Sequence, residues 1–362
     1  MKRIYITLAT LFLLIAAMAY LYFSSISSAA GNSDLSLKVA AQRAGIVYRI
    51  VNDKGVLDIL NGQQLLFKLI GTEKAELLKN VHYTFQSDPV IAAFLEHKVT
   101  YISVLPGKGH SLDFMISTQL SDAAERNAVI GMIAKKRERN FDSKLSSKIQ
   151  IPGSAPFYIG FEKDVLIVSN EPTVFTTLKD SKGRENNPFS EFILSNDKLT
   201  KNSLANLYIN YTRLPDLLKA ITPNINREEF EEIRDLYAFS HLSYNFSETY
   251  VFFNGETQLK NDSGYLNLFL NVAPQKLGIT SILPSRTANF TLYNPGNFAK
   301  WSVQLRSWFD SKKEHAAIVK QVALQNTQYH VVLNDIFPKY ASNQFLTFQL
   351  EQGQKLGAIA LT

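Results

Sequence analysis

The chain has 362 residues, enough for two or three globular units. Its 46% hydrophobic and 19% charged content excludes both a disordered tail and a protein that is membrane throughout. It contains no cysteine, which removes disulfides and thiolate chemistry. A formal net charge of +6 is too small an excess to argue for a nucleic acid partner and gives only a mild bias toward an anionic membrane surface.

Ile4 to Phe23 is a run without a single charge, preceded by Lys2 and Arg3. At about 1.5 Å per residue a helix of that length just crosses a hydrocarbon core of roughly 30 Å. The basic pair before it and the polar "SSISSAAGNSD" after it predict N-in insertion and export of everything downstream. Residues 1–30 are therefore read as a signal anchor and short linker: a single pass through the inner (cytoplasmic) membrane, with the remainder in the periplasm or extracytoplasmic space. Ser28-Ala29-Ala30 would suit a cleavage site, but the apolar run exceeds the usual core of a cleaved signal. Sequons at Asn210, Asn245, Asn261 and Asn289 are read as chance in a chain rich in Asn and Ser.

Residues 31–183 form the first expected unit. Val47 to Asn52 reads as a strand and turn, followed by a helix with Val56, Ile59, Leu66 and Phe67 on one face. A second helical stretch at 74–79 precedes a strand at "VHYTFQ" (from Val81). A hairpin of "VTYISVLP" and "SLDFMIST" then turns at Gly107 and Gly109. The helix "SDAAERNAVIGMIAKKRER" takes Ser121 as its cap, with Asp122 and Glu125 near its start. Lys135, Lys136, Arg137 and Arg139 end it, as the helix dipole favours. A polar tract leads to a hairpin "FYIGFEKDVLIVSNEP" that turns at Lys163-Asp164. The loop-like 179–188 stretch marks the boundary to a middle unit, 184–286.

In that middle unit Leu207, Ile209 and Tyr211 alternate as a strand. Leu214, Leu217, Leu218 and Ile221 follow at helical spacing, with Pro215 in the first turn. "NINREEFEEIRDLYAF" supplies another helix, with Phe230, Ile233 and Tyr237 on one face. Three strands are expected at "HLSYNFSE", "TYVFFNGETQLK" and "GYLNLFLNVA", the last two joined by a "KNDSG" turn. Residues 287–362 read as a shortened copy of the first unit. At one constant offset Val47 to Asn52 meets Asn289 to Asn294, and Val56, Ile59, Leu66 and Phe67 meet Phe298, Trp301, Trp308 and Phe309. "YHVVLN" (from Tyr329) answers "VHYTFQ", placing His82 and His330 on equivalent strands, and "FLTFQLEQ" and "KLGAIALT" answer the first hairpin. Ala358 to Leu361 are expected to be paired in a sheet, because an exposed apolar edge invites aggregation. The fold class is α+β: an N-terminal transmembrane helix, then duplicated strand-helix-strand-strand units with largely antiparallel sheets and amphipathic helices packed on one face.

Chemistry is sparse. There is no Gly-rich phosphate loop, and the histidines at 82, 97, 110, 241, 315 and 330 are scattered, without metal-ligand spacing. Ser195-Asn196-Asp197-Lys198, Ser243-Tyr244-Asn245 and Lys276-Leu277-Gly278 fall in the order of the three motifs of penicillin-interacting serine enzymes. A nucleophile of that kind must start a helix, whereas "SNDKLTKNS" reads as a polar loop, and Leu277 lacks the hydroxyl of the third motif. No catalytic, cofactor-binding or metal-binding residue is assigned, and no cofactor is expected.

The anchor followed by "GIVYRIVNDKGVLDIL", together with "FYIGFEKDVLIVSNEPTVFTTLKD" and "LGITSILPSRTANFTLYNP", resembles a bacterial membrane-anchored family of unknown function, the DUF thirty-three fifty-two type. The resemblance runs nearly the full length but rests on apolar patterns. It implies topology and compartment, and carries over no catalytic residue. Members of that family run longer, which fits a second copy that ends early. The expectation is a non-enzymatic, membrane-anchored binding or scaffold module of the cell envelope. Its partners are the membrane, through the N-terminal helix, and an envelope protein. The alternative is a lipid or other apolar ligand held in a cleft between the repeats, and an exported serine acyl enzyme is a distant third.

Overall fold

A computed structural model describes residues 34–51, 71–107, 111–136, 146–178, 187–197, 205–221, 233, 235–246, 251–260, 264–276, 278, 282–310, 315–332, 335, 343–350 and 356–360. The expected anchor at Ile4 to Phe23, the helix face at Val56 to Phe67 and most of the helix opening at Asn224 lie outside them. No helix among the described residues is long and apolar enough to cross a membrane. Contacts divide the chain into a first unit, running to 234 and including 238–258, and a second unit of 235–237 with 259–362.

The first unit is built on a nine-stranded sheet in the order β4-β5-β6-β3-β2-β1-β7-β8-β9. The strands are β1 (Ile46–Val51), β2 (Val99–Pro106), β3 (Leu112–Gln119), β4 (Ser146–Ile149), β5 (Phe157–Glu162), β6 (Val165–Ser169), β7 (Ala205–Asn210), β8 (Ala238–Phe246) and β9 (Val251–Leu259). β1 sits inside the sheet, antiparallel to β2 on one side and to β7 on the other. Directly opposed residues share a face. Val47 therefore lies in one row with Ser103, Met115 and Tyr208, while Tyr48 lies on the other face with Ile102, Ile116 and Leu207. Beyond β8, the backbone comes so close that a side chain at Gly255 would lie 1.8 Å from the His241 carbonyl oxygen.

Helices cover both faces, not one as the pattern implied. On the Val47 face lie α1 (Leu35–Ala41), α5 (Thr173–Leu178) and α6 (Pro188–Ser195), which bury Leu37, Val39, Phe175, Phe189 and Ile193 against Tyr101, Ile167 and Tyr208. On the opposite face α2 (Thr72–Gln86), α3 (Pro89–Leu95) and α4 (Ala123–Lys136) pack Leu77, Phe85, Ile91, Val129 and Met132 over Phe114, Phe157, Ile159 and Leu166. α1 fits closely because its inner residues are small: Ser103 Oγ donates to Ala40 O at 2.9 Å and Ser117 Oγ to Ser36 O at 2.9 Å. Asp34 caps α1, Asp88 caps α3 and Asn187 caps α6. Pro89 and Pro188 follow at first-turn positions, where the missing N–H costs nothing.

Several expectations change. The strand expected at Val81 is the second half of α2, so His82 is helical. His330 follows a helix in the left-handed region, at φ 53. The histidines are therefore not equivalent strand positions. Asp122, not Ser121, caps α4: its Oδ1 accepts from Glu125 N at 2.9 Å, while Glu125 Oε2 reaches back to Ser121 N at 2.7 Å. The polar tract before Phe157 contains β4. The third strand of the middle unit is a 3₁₀ turn, Tyr265–Phe269. The boundary expected at 183/184 falls within one sheet, since β7, β8 and β9 extend the strands of the first unit.

The second unit has β10 (Thr287–Tyr293), α8 (Phe298–Asp310), α9 (His315–Tyr329), β11 (Phe345–Leu350) and β12 (Leu356–Ala360), in an antiparallel sheet ordered β10-β11-β12. α8 and α9 lie in the chain between β10 and β11. Ala358 to Ala360 pair with Thr347 to Phe345, as expected of an apolar edge; Leu361 lies outside the described residues. Among the described residues its core holds Phe298 and Trp301, packed with Leu268, Phe269, Leu305 and Phe345, and the buried Leu346.

Candidate binding site

Two features of the first unit bring functional side chains together. The first is a cavity of about 130 Å³ on the Tyr48 face, where β1, β2, β3, β7 and β8 meet α2. Register builds it. Ile50 lies opposite Ala205, and Ala205 opposite Tyr244, so the short alanine leaves space between two large neighbours. Ile102, Val104, Leu112 and Phe114 line the β2–β3 side, and Leu78 and Lys74 come from α2. A cavity of this size with a mostly apolar lining has room for a small apolar group. The polar exceptions are Lys74, Asp113 and the two tyrosines. Burial raises the pKa of Tyr48, with Tyr244 adding to it, and burial raises that of Tyr244. Both phenols therefore stay protonated. The Tyr244 hydroxyl is buried with no hydrogen-bond partner among the described residues, which is costly for a polar group.

The second feature lies on the opposite face of the same strands. Arg49 is directly opposed by Tyr101 and Asn206, and its Nε pairs with Asp197 Oδ1 from the segment leaving α6. The Arg49 side chain is only 9% exposed, while Asp197 is 29% exposed. Tyr101 Oη donates to Asp34 Oδ2 at 2.8 Å, Tyr208 Oη to Asn196 O at 3.0 Å, and Asn206 Nδ2 to Tyr208 Oη at 3.2 Å. Burial raises the Asp197 pKa; Arg49 pulls it down, and Asp34 adds to the rise. Burial and the nearby Asp34 and Asp197 carboxylates push the Tyr101 phenol far up, and burial does the same to Tyr208. The network ties the cap of α1 and the end of α6 to the centre of the sheet. The Arg49 guanidinium is buried and Asp197 is half-buried beside it, so the pair acts as a fastening.

The serine-enzyme motifs do not assemble a nucleophile. Ser195 ends α6 instead of starting a helix, and its hydroxyl donates to Phe192 O at 2.9 Å. Ser243 is buried within β8, and Lys276 belongs to the second unit. Among the described residues no group of three or more His, Asp or Glu is placed to hold a metal ion. His241 stacks on Tyr208 with ring centroids 5.1 Å apart, and His315 lies 3.0 Å from Asp310.

Sequence reasoning missed Arg49 and Asp197. The signal was present in "IVYRIV", where an arginine occupies the same alternation phase as the buried Val47. Asp197 sat inside a motif read only for its serine and lysine. The cavity left no such mark, because its lining consists of ordinary core residue types. Comparison with protein-family models, with curated proteins and with solved structures returns no match to this chain.

Proposed function

We propose that the chain is a non-enzymatic, membrane-tethered extracytoplasmic module of the cell envelope whose first unit binds an apolar ligand in the cavity between α2 and the sheet. The apolar run at Ile4 to Phe23, its flanking charges and the family resemblance support the tether and the compartment. The cavity carries the binding: five strands and a helix line it largely with apolar side chains, and protonated tyrosines offer donors at its wall. It lies inside the first unit, not between repeats. The test is native mass spectrometry of the full chain released from detergent micelles. Wild type retains an apolar adduct, and Ala205→Phe, which fills the gap between Ile50 and Tyr244, loses it. Equal retention by both, or none by wild type, defeats the reading.

An envelope protein as partner is the second reading. Val303, Val319, Leu324 and Tyr329 favour it, being large apolar residues left 52% to 67% exposed on α8 and α9. Crosslinking in intact membranes tests it; recovery of the uncrosslinked chain alone counts against it.

A further inference from the structure

A second cavity, of about 280 Å³, opens in the first unit where the end of α1, the β2–β3 turn, α5 and the start of α7 (Leu214–Ile221) come together. It differs from the apolar one in its charge. Arg43 and Arg213 line it, and so do Asp113, Glu171 and Asp216. Both arginines are exposed. Among the described residues neither guanidinium is held in an ion pair.

The backbone places the two arginines on one rim. Arg43 leaves α1 just before Gly45, and Arg213 immediately precedes α7. Asn210 N donates to Gly45 O at 2.8 Å, and Arg213 N donates to Asn210 O at 3.0 Å. A side chain at Gly45 would stand 3.2 Å from the Arg213 backbone and 2.7 Å from Leu217 Cδ1, so glycine permits this approach. The acidic wall is organised too: Asp113 Oδ1 accepts from Asn170 Nδ2 at 2.8 Å, and Glu171 Oε1 accepts from Thr173 Oγ1 at 2.9 Å.

We infer that this cavity binds a small zwitterion of the amino-acid or short-peptide class. The ligand's carboxylate lies on Arg43 and Arg213, and its ammonium on Asp113, Glu171 and Asp216. A ligand carrying both charges can set its anionic end on the guanidiniums and its cationic end toward the acidic wall, which neither a simple anion nor a simple cation does. Guanidiniums suit a carboxylate because their parallel N–H groups match its two oxygens. Leu105 and Val174 provide an apolar stretch of wall for a short side chain. This site shares Asp113 with the wall of the apolar cavity, but the inference does not rest on the reading built on that cavity.

The test is calorimetric titration of the full chain in detergent with alanyl-alanine, its N-acetyl form and its C-terminal amide. The dipeptide is expected to bind, with each blocked form at least about tenfold weaker, and Arg43→Ala or Arg213→Ala to weaken it by a similar factor. Arg43→Lys recovers part of the loss. Because both arginines are exposed, the variants keep the fold, which circular dichroism checks. Absence of dipeptide heat in wild type, equal binding of all three probes, or unchanged affinity in both alanine variants overturns the inference.

Discussion

The two sheets of this protein are made by similar local sequence, yet they are packed very differently. In the first unit β1 is flanked on both sides and covered on both faces, and Val47, Tyr101, Ile159, Ile167 and Tyr208 are at most 1% exposed. In the second, β10 has similar alternation and is followed by α8 with its aromatic stripe. Yet Phe290 is 47% exposed, and among the described residues of α9 no side chain is buried. An amphipathic pattern specifies which side of an element can be buried. How much is buried depends on how many layers the rest of the chain supplies.

The contrast is sharpest at the buried ion pair. Asp197→Ala leaves Arg49 charged inside the first unit and is expected to cost about 3 kcal/mol, the low end for such pairs because Asp197 is part exposed. Urea unfolding should show that loss in the first unit's transition, and Arg49→Met combined with Asp197→Leu should recover most of it. An unshifted midpoint would mean the pair is not a fastening.

Trp301→Ala is the corresponding cut in the second unit. It removes the centre of a cluster with Phe298, Phe269 and Phe345 and should cost about 3 kcal/mol. The loss should appear as hydrogen exchange and proteolysis between 264 and 350, while protection of β1, β2 and β7 stays as in wild type. Equal loss of protection in both units would mean that they fold as one.

The smallest effect concerns pH. Burial holds the His241 pKa below its ordinary 6.5, with Glu256 pulling the other way. The unfolded chain therefore takes up this proton first. The stability linked to neutral His241 is complete above about pH 6.5 and is lost as pH falls through the lowered folded value. His241→Gln should flatten the fall in melting temperature between about pH 7 and pH 5, measured by scanning calorimetry. The second unit's melting should not respond to that substitution.

Local signals were readable in the sequence. The β2–β3 hairpin announced itself by alternation around Gly107, β5 and β6 by their turn at Lys163-Asp164, and β10 and α8 by a strand followed by an aromatic stripe. α1 was not readable, because Ser36, Ala40 and Ala41 carry no amphipathic contrast; their burial comes from the sheet beneath. α3 and α6 are short, and only their Asp88-Pro89 and Asn187-Pro188 caps betray them. The pairing of β1 with β7 is non-local, so no window of sequence contains it. Both cavities depend on that pairing, because Ala205 lines one and the chain after Asn210 lines the other.

The placement of β1 also sets a timetable for folding. β1 is delivered early, but Tyr208, the partner of its Val47, follows 161 residues behind. At 5–20 residues per second, β1 waits on the order of ten to thirty seconds for its second neighbour. Throughout that interval one edge of an apolar strand is open to any other extended chain. A nascent chain of this kind has most need of a holding chaperone between the emergence of β3 and that of β7. Its yield should therefore respond to the rate of synthesis as much as to the stability of the finished sheet.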